Sequence, residues 1–192
     1  MKEIENRSNC GMSDQLPHIN PLPDVIKAHL TVLFCGVNPG MLAAETGHHF
    51  AGRNNRFWRA VYLAGFTAEE IAPQNDISFL QYGCGLSSVV ARPTPRADQV
   101  SRQEFAKAAD TFELKIKQNA PRFVAFLGKA AYAALYDRRE ITWGAQSNAI
   151  GKSRLWVLPN PSGRNRAFSL DRLVENYRQL YEIAFEQCLT DL

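Results

Sequence analysis

Between residues 24 and 187 the chain alternates short apolar runs with longer stretches in which apolar residues recur every three or four positions. The runs predict strands at Thr31 to Cys35, Gly85 to Val90, Arg122 to Leu127 and Leu155 to Leu158, continuous enough for burial on both faces. The periodic stretches predict helices. Arg56 to Ala64 stops at Gly65, Asp76 to Tyr82 stops at Gly83, Lys129 to Tyr136 follows the third strand, and Ser169 to about Gln187 is long and amphipathic. Ser101 and Glu104 make a capping box that opens a helix running to about Asn119, with Pro121 beyond it. Asp24 to Leu30 reads as one further short helix. Residues 1–23, with Pro17, Pro21 and Pro23 among polar residues, read as a loose N-terminal arm, which leaves 24–192 as the folded domain. Strands alternating with helices over one domain length predict a single-domain α/β fold, a three-layer α/β/α sandwich with a mostly parallel central sheet.

Composition narrows the class. A chain of 192 residues, 45% hydrophobic and 21% charged, is long enough to bury about 70% of its unfolded surface in one core. Its apolar runs break well before the ~18 residues that span a bilayer, and Met1 to Asn6 has no apolar signal region, so no membrane association and a cytoplasmic location are expected. The net charge of +3 is only mildly basic. Its placement says more: Arg92, Arg96, Arg102, Arg138, Arg139, Lys152, Arg154, Arg164 and Arg166 fall in or beside predicted loops, where a basic rim can follow phosphates. Cys10, Cys35, Cys84 and Cys188 show no C-x-x-C spacing, so no zinc ribbon or iron–sulfur ligand set is indicated, and Cys35 reads as a core thiol.

Two strands end in turn-forming polar loops. The first leads into Gly36-Val37-Asn38-Pro39-Gly40, the last into Asn160-Pro161-Ser162-Gly163-Arg164-Asn165-Arg166. Strand C-termini of an open parallel sheet form its ligand crevice, and Gly and Pro there fix the turn that presents a polar side chain. Asn38, held between Val37 and Pro39, has an amide that can orient a water; it can equally cap its own loop as an Asx turn. An amide accepts no proton at neutral pH, so such a water is positioned and not deprotonated. A Walker loop fails, since Phe123 stands where its first Gly belongs, and no G-x-G-x-x-G follows the first strand. A serine hydrolase fails too, because Asn160 and Pro161 break the nucleophile elbow and every His lies at or before His49. A non-catalytic DNA-binding module, or a nucleotide-binding α/β enzyme lacking both of those phosphate loops, stays open as the alternative.

The two loops, together with Gly47-His48-His49-Phe50-Ala51, Asn55-Arg56-Phe57-Trp58, Ala91-Arg92-Pro93-Thr94 and Leu127-Gly128-Lys129-Ala130-Ala131-Tyr132, resemble the mismatch-specific uracil-DNA glycosylase and thymine-DNA glycosylase family of the uracil-DNA glycosylase superfamily. The resemblance runs from Val32 to Tyr181. It implies a monofunctional glycosylase of base excision repair that flips its base out of the duplex and hydrolyses the bond to uracil opposite guanine, with thymine and exocyclic cytosine adducts as further candidate substrates. By that resemblance Asn38 holds the water, Phe50 stacks on the flipped base, and Val37 and Ser88 complete the base pocket. The loop carrying Asn160, Ser162, Gly163, Arg164, Asn165 and Arg166 would enter the duplex and meet the widowed guanine. Three departures stand out: Arg164 occupies a position commonly apolar in the bacterial pattern, Ser88 one that carries a longer polar side chain, and Ala43 one with a small hydroxyl. No metal or organic cofactor is implied. Neither motif has a Lys for a Schiff base, and the expected partner is double-stranded DNA with a G·U or related mismatch, met by a monomer.

Overall fold

Val32, Leu33, Phe34 and Cys35 each lie at 0% exposure; successive strand residues point to opposite sides, so this strand is covered on both. The structure, a computed structural model, describes residues 21–136 and 140–186. Strands β1 (Val32–Gly36), β2 (Cys84–Ser88), β3 (Phe123–Leu127), β4 (Gly144–Ile150) and β5 (Ser153–Leu158) form one sheet in the order β2-β1-β3-β5-β4. β1 pairs in parallel with β2 and β3, and β3 with β5; β4 runs antiparallel along the β5 edge. The helices are α1 (Met41–Thr46), α2 (Phe57–Ala64), α3 (Arg102–Asn119), α4 (Lys129–Tyr136) and α5 (Leu170–Tyr181).

The period of two sorts the core into two clusters. Val32, Phe34, Phe123, Ala125, Trp156 and Leu158 face α2 and α5 through Phe57, Val61, Leu173 and Tyr177. Leu33, Cys35, Val124, Phe126, Leu155 and Val157 face α3 and α4 through Phe112, Ile116, Ala131 and Tyr132. This is the expected three-layer α/β/α sandwich with its mostly parallel sheet. Phe34 anchors one side, its ring edge-on to Phe57 at 5.4 Å and stacked with Phe79 at 5.7 Å and Tyr177 at 6.2 Å. That contact fixes the start of α2 beside the end of β1. Cys35 is a core thiol, and burial pushes its pKa up. Among the described residues no helix is long and apolar enough to cross a membrane.

Several local expectations are corrected. Asp24 to Leu30 is not a helix: Val25 pairs antiparallel with Leu86, exchanging N–H···O bonds of 2.9 and 2.8 Å. A helix of two turns is marginal alone, whereas the extended chain buries Val25 and Leu30 against the sheet. The stretch ending at Gly83 is a run of 3₁₀ turns, Pro73–Tyr82, kinked at Asn75. β2 stops at Ser88, two residues short of the expected end. α1 and the edge strand β4 had no counterpart in the expected pattern. α5 gives way at Tyr181 to a π turn, Glu182–Glu186, and the expected end at Gln187 falls outside the described residues. The same holds for the arm up to residue 20.

Candidate active site

β1, β2, β3 and β5 all point their C-terminal ends to one edge. The chain leaves β1 outward to β2 and then returns across it to β3, so the connections diverge beside β1 and open a crevice there. A cavity of about 480 Å³ occupies it, lined by Val37, Asn38, Phe50, Ser88, Asn160 and Arg164 among others, with Ser162 also on its wall. Gly163 and Arg166 open with Arg53 and Asn54 onto an adjoining groove of about 540 Å³, and Ser162 and Arg164 border both spaces. Asn165 lines neither space. It works inside its loop, its Nδ2 donating to the Asn160 carbonyl at 2.9 Å. Val37 turns its side chain into the core facing α3 and α4.

Asn38 is held by its nitrogen. Nδ2 donates to the Arg92 carbonyl at 2.9 Å, the Pro39 carbonyl at 3.2 Å and Thr94 Oγ1 at 2.7 Å. Main-chain carbonyls only accept, so the NH₂ must face them and the orientation of the amide is settled by chemistry. Oδ1 is thereby turned the other way, and among the described residues no donor reaches it. Thr94 is 2% exposed; its hydroxyl in turn donates to the Arg96 carbonyl at 2.6 Å, and its N–H donates to Pro39 O at 3.1 Å. Arg92, expected on a phosphate rim, instead braces this loop: it binds both carboxylate oxygens of Glu104, Nε at 2.5 Å and Nη2 at 3.1 Å. Glu104 also accepts from the Ser101 N–H as the capping box of α3, and the Arg92 guanidinium, followed by these Ser101 bonds, holds its carboxyl down at about 2.

Phe50 presents a half-buried ring backed face to face by Phe57, centroids 4.0 Å apart at 24°. Its φ is +56°, a left-handed conformation that costs a bulky residue ~1–3 kcal/mol and persists only where its surroundings impose it. They do so here through the preceding residue. The His49 N–H donates to Asp76 Oδ2 at 2.8 Å, Trp58 Nε1 donates to the His49 carbonyl at 3.1 Å, and His49 Nε2 pairs with the Pro23 carbonyl at 2.9 Å. His48 Nδ1 lies 3.6 Å from the other oxygen of Asp76. His49, tied to Asp76, Trp58 and Pro23, therefore clamps the Phe50 turn. Burial lowers the His49 pKa, outweighing the opposite pull of the Pro23 bond and of Asp76.

The second loop is buttressed from within and from outside. Asn160 Oδ1 accepts from the Ser162 N–H at 2.9 Å, and Ser162 Oγ from the Arg164 N–H at 3.3 Å. Gly163 is required by close approach: a Cβ there would sit 2.5 Å from the Asn54 carbonyl oxygen. Exposed Arg164 reaches over the cavity mouth, Nη1 donating to the Pro95 carbonyl at 3.3 Å. Half-buried Arg56 donates to four carbonyls of this loop and its continuation into α5. Other members of the expected basic rim are placed differently. Arg96 pairs with Asp98; Lys152 and Arg154 sit where β5 begins, at the opposite edge of the sheet; Arg138 and Arg139 fall outside the described residues.

Four supporting residues carried no assigned role in the sequence reading. Arg56, Trp58 and Thr94 lie inside the stretches that carry the resemblance, but their partners are 105–112, 9 and 56 positions away. Asp76 reads as an ordinary residue of a surface helix, and no sequence signal marks it.

The fold and this crevice together define an α/β domain with a cavity at the C-terminal ends of its parallel strands and a fixed asparagine amide in its wall. The Uracil DNA glycosylase superfamily model matches residues 23–183, and the chain belongs to that superfamily of DNA glycosylases. The solution NMR structure of a provisionally assigned uracil DNA glycosylase from Methanosarcina acetivorans shares the fold, with a TM-score of 0.58 and 22% identity over 85% of this chain and 98% of that one.

Proposed function

We propose that this protein is a monofunctional, mismatch-directed DNA glycosylase that releases uracil opposite guanine. The observation that carries this reading is Asn38: its NH₂ is occupied by three acceptors while its oxygen is left for a water, in the same cavity as the Phe50 ring. The extruded uracil stacks on Phe50 in the cavity that Val37 and Ser88 also line. A water donating to Asn38 Oδ1 keeps its lone pair directed at the sugar C1′. The bond from C1′ to the base nitrogen breaks, its electrons leaving with uracil, the water oxygen bonds to C1′, and the released proton passes to solvent or to the departing base. No group of the chain has to accept that proton, so rate depends on how well the base carries negative charge, stabilised by N–H groups of the pocket. Asn160, Ser162, Gly163, Arg164, Asn165 and Arg166 form the loop that enters the duplex, with Arg164 filling the vacated stack and the loop backbone meeting the guanine.

The test is incubation of purified protein with labelled duplexes carrying single U·G, U·A, T·G and adducted-C·G pairs, followed by alkali. Strand scission at uracil, strongest opposite guanine, is the expected result. Tight binding of all four duplexes without base release from any would replace the enzyme by a binding module.

A further inference from the structure

The loop that meets DNA takes its shape from a residue outside it. Arg56 Nε donates to Pro161 O at 3.3 Å, Nη1 to Phe168 O at 2.6 Å, and Nη2 to Ser162 O and Asn165 O at 2.9 Å each. Its main-chain N–H adds a bond to Pro161 O at 3.1 Å. Each of these acceptors is a main-chain carbonyl of that loop or its continuation, so the rigid guanidinium fork acts as a template for the path of the backbone. The neighbours of Arg56 face the other half of the site. Phe57 backs the Phe50 ring at 4.0 Å; Asn55 lines the cavity and its Oδ1 accepts from the Phe57 N–H at 3.0 Å; Asn54 abuts Gly163. Four consecutive residues thus join the duplex-entering loop to the base platform.

We propose that Arg56 is a positioning residue that keeps the second loop in register with the Phe50 platform, so that entry into the stack and capture of the extruded base happen in one docked geometry. This rests on the glycosylase reading. Arg56 contacts neither the water-holding amide nor the platform ring, so its loss slows base opening and leaves bond cleavage intact.

The test compares wild type with Arg56→Lys, which keeps the charge but offers donors from a single point, and with Arg56→Gln as a second variant should the first unfold. Single-turnover release at saturating protein is measured on uracil opposite adenine, opposite guanine, and opposite an abasic analogue, where no pair must be broken. The variants should lose ~10²-fold on U·A, less on U·G, and keep the wild-type rate opposite the abasic analogue, each measured well below the thermal midpoint of the variant. In parallel, a duplex with uncleavable 2′-fluoro-2′-deoxyuridine beside 2-aminopurine reports entry into the stack without any chemistry. Its fluorescence should rise with wild type and stay low with Arg56→Lys. Equal losses on all three substrates, or a wild-type fluorescence rise in the variants, would overturn the positioning role and leave the glycosylase reading standing. Absence of uracil release by wild type from every duplex would overturn that reading instead, with the fluorescence still deciding whether Arg56 sets the loop.

Discussion

Replacing Thr94 by valine keeps the outline of the side chain and deletes a hydroxyl that serves two partners. It accepts from Asn38 Nδ2 at 2.7 Å and donates to the Arg96 carbonyl at 2.6 Å. At 2% exposure, water does not substitute for either bond, and leaving such partners unsatisfied costs ~1–3 kcal/mol. A domain of this size loses roughly 2–4 °C of thermal midpoint per kcal/mol. The amide keeps its bonds to Arg92 O at 2.9 Å and Pro39 O at 3.2 Å, so it stays in the site with a looser orientation. Deleting a whole positioning group costs ~10²–10³ in rate; losing one of three restraints should cost about tenfold, or ~1.4 kcal/mol of barrier. The assay is single-turnover uracil release from a U·G duplex at saturating protein, below the midpoint of the variant, with Thr94→Ser expected to restore the rate. A Thr94→Val protein that is folded and as fast as wild type would refute the claim that the orientation of the Asn38 amide limits catalysis.

Three further outcomes follow from the geometry. Gly163→Ala places a Cβ 2.5 Å from the Asn54 carbonyl oxygen; the two loops must separate, at ~1–3 kcal/mol, and cleavage of paired uracil should fall with the thermal midpoint, an unchanged midpoint counting against the contact. Phe50→Ala removes the cavity's stacking ring, and the loss of ~1–3 kcal/mol per stacked base should appear as a drop of ~5- to 150-fold in kcat/KM, whereas a wild-type value would assign the stack elsewhere. The third concerns pH. Burial lowers the His49 pKa from 6.5, so folding favours its neutral form; its contribution is complete above pH 6.5 and is lost as pH falls from there through the lower folded value. The thermal midpoint should therefore drop below pH 6.5, and drop less in His49→Gln; identical pH profiles would remove His49 from the clamp.

The strands were legible because three of them are buried on both faces and read as unbroken apolar runs, and α3 because Ser101 and Glu104 write its start into adjacent sequence. β4 was not legible. Gly144-Ala145-Gln146-Ser147-Asn148-Ala149-Ile150 has little strand propensity and is a strand because β5 offers an open edge to pair with. Val25 misled in the opposite sense, since a contact with Leu86 outweighed the local pattern. Within the site, Asn38, Phe50 and the second loop were visible because each stands in a motif. The parts that hold them were not, because Thr94, Asp76 and Arg56 act over separations of 56, 27 and more than 100 positions, and nothing local distinguishes a loop threonine that orients an amide from one that faces solvent. The same blindness made Arg92 look like a phosphate ligand when Glu104 is its partner.

The central claim is that Asn38 holds the attacking water and does nothing else that the reaction needs. Its most direct test is Asn38→Ala, with single-turnover uracil release and equilibrium affinity for uncleavable 2′-fluorodeoxyuridine duplex measured side by side. The expected result is a loss of ~10²–10³ in the cleavage rate at unchanged affinity, with the wild-type rate level from pH 7 to 9 because an amide does not titrate. A variant that cleaves as fast as wild type, or one whose slow cleavage is wholly accounted for by weaker binding, would contradict it.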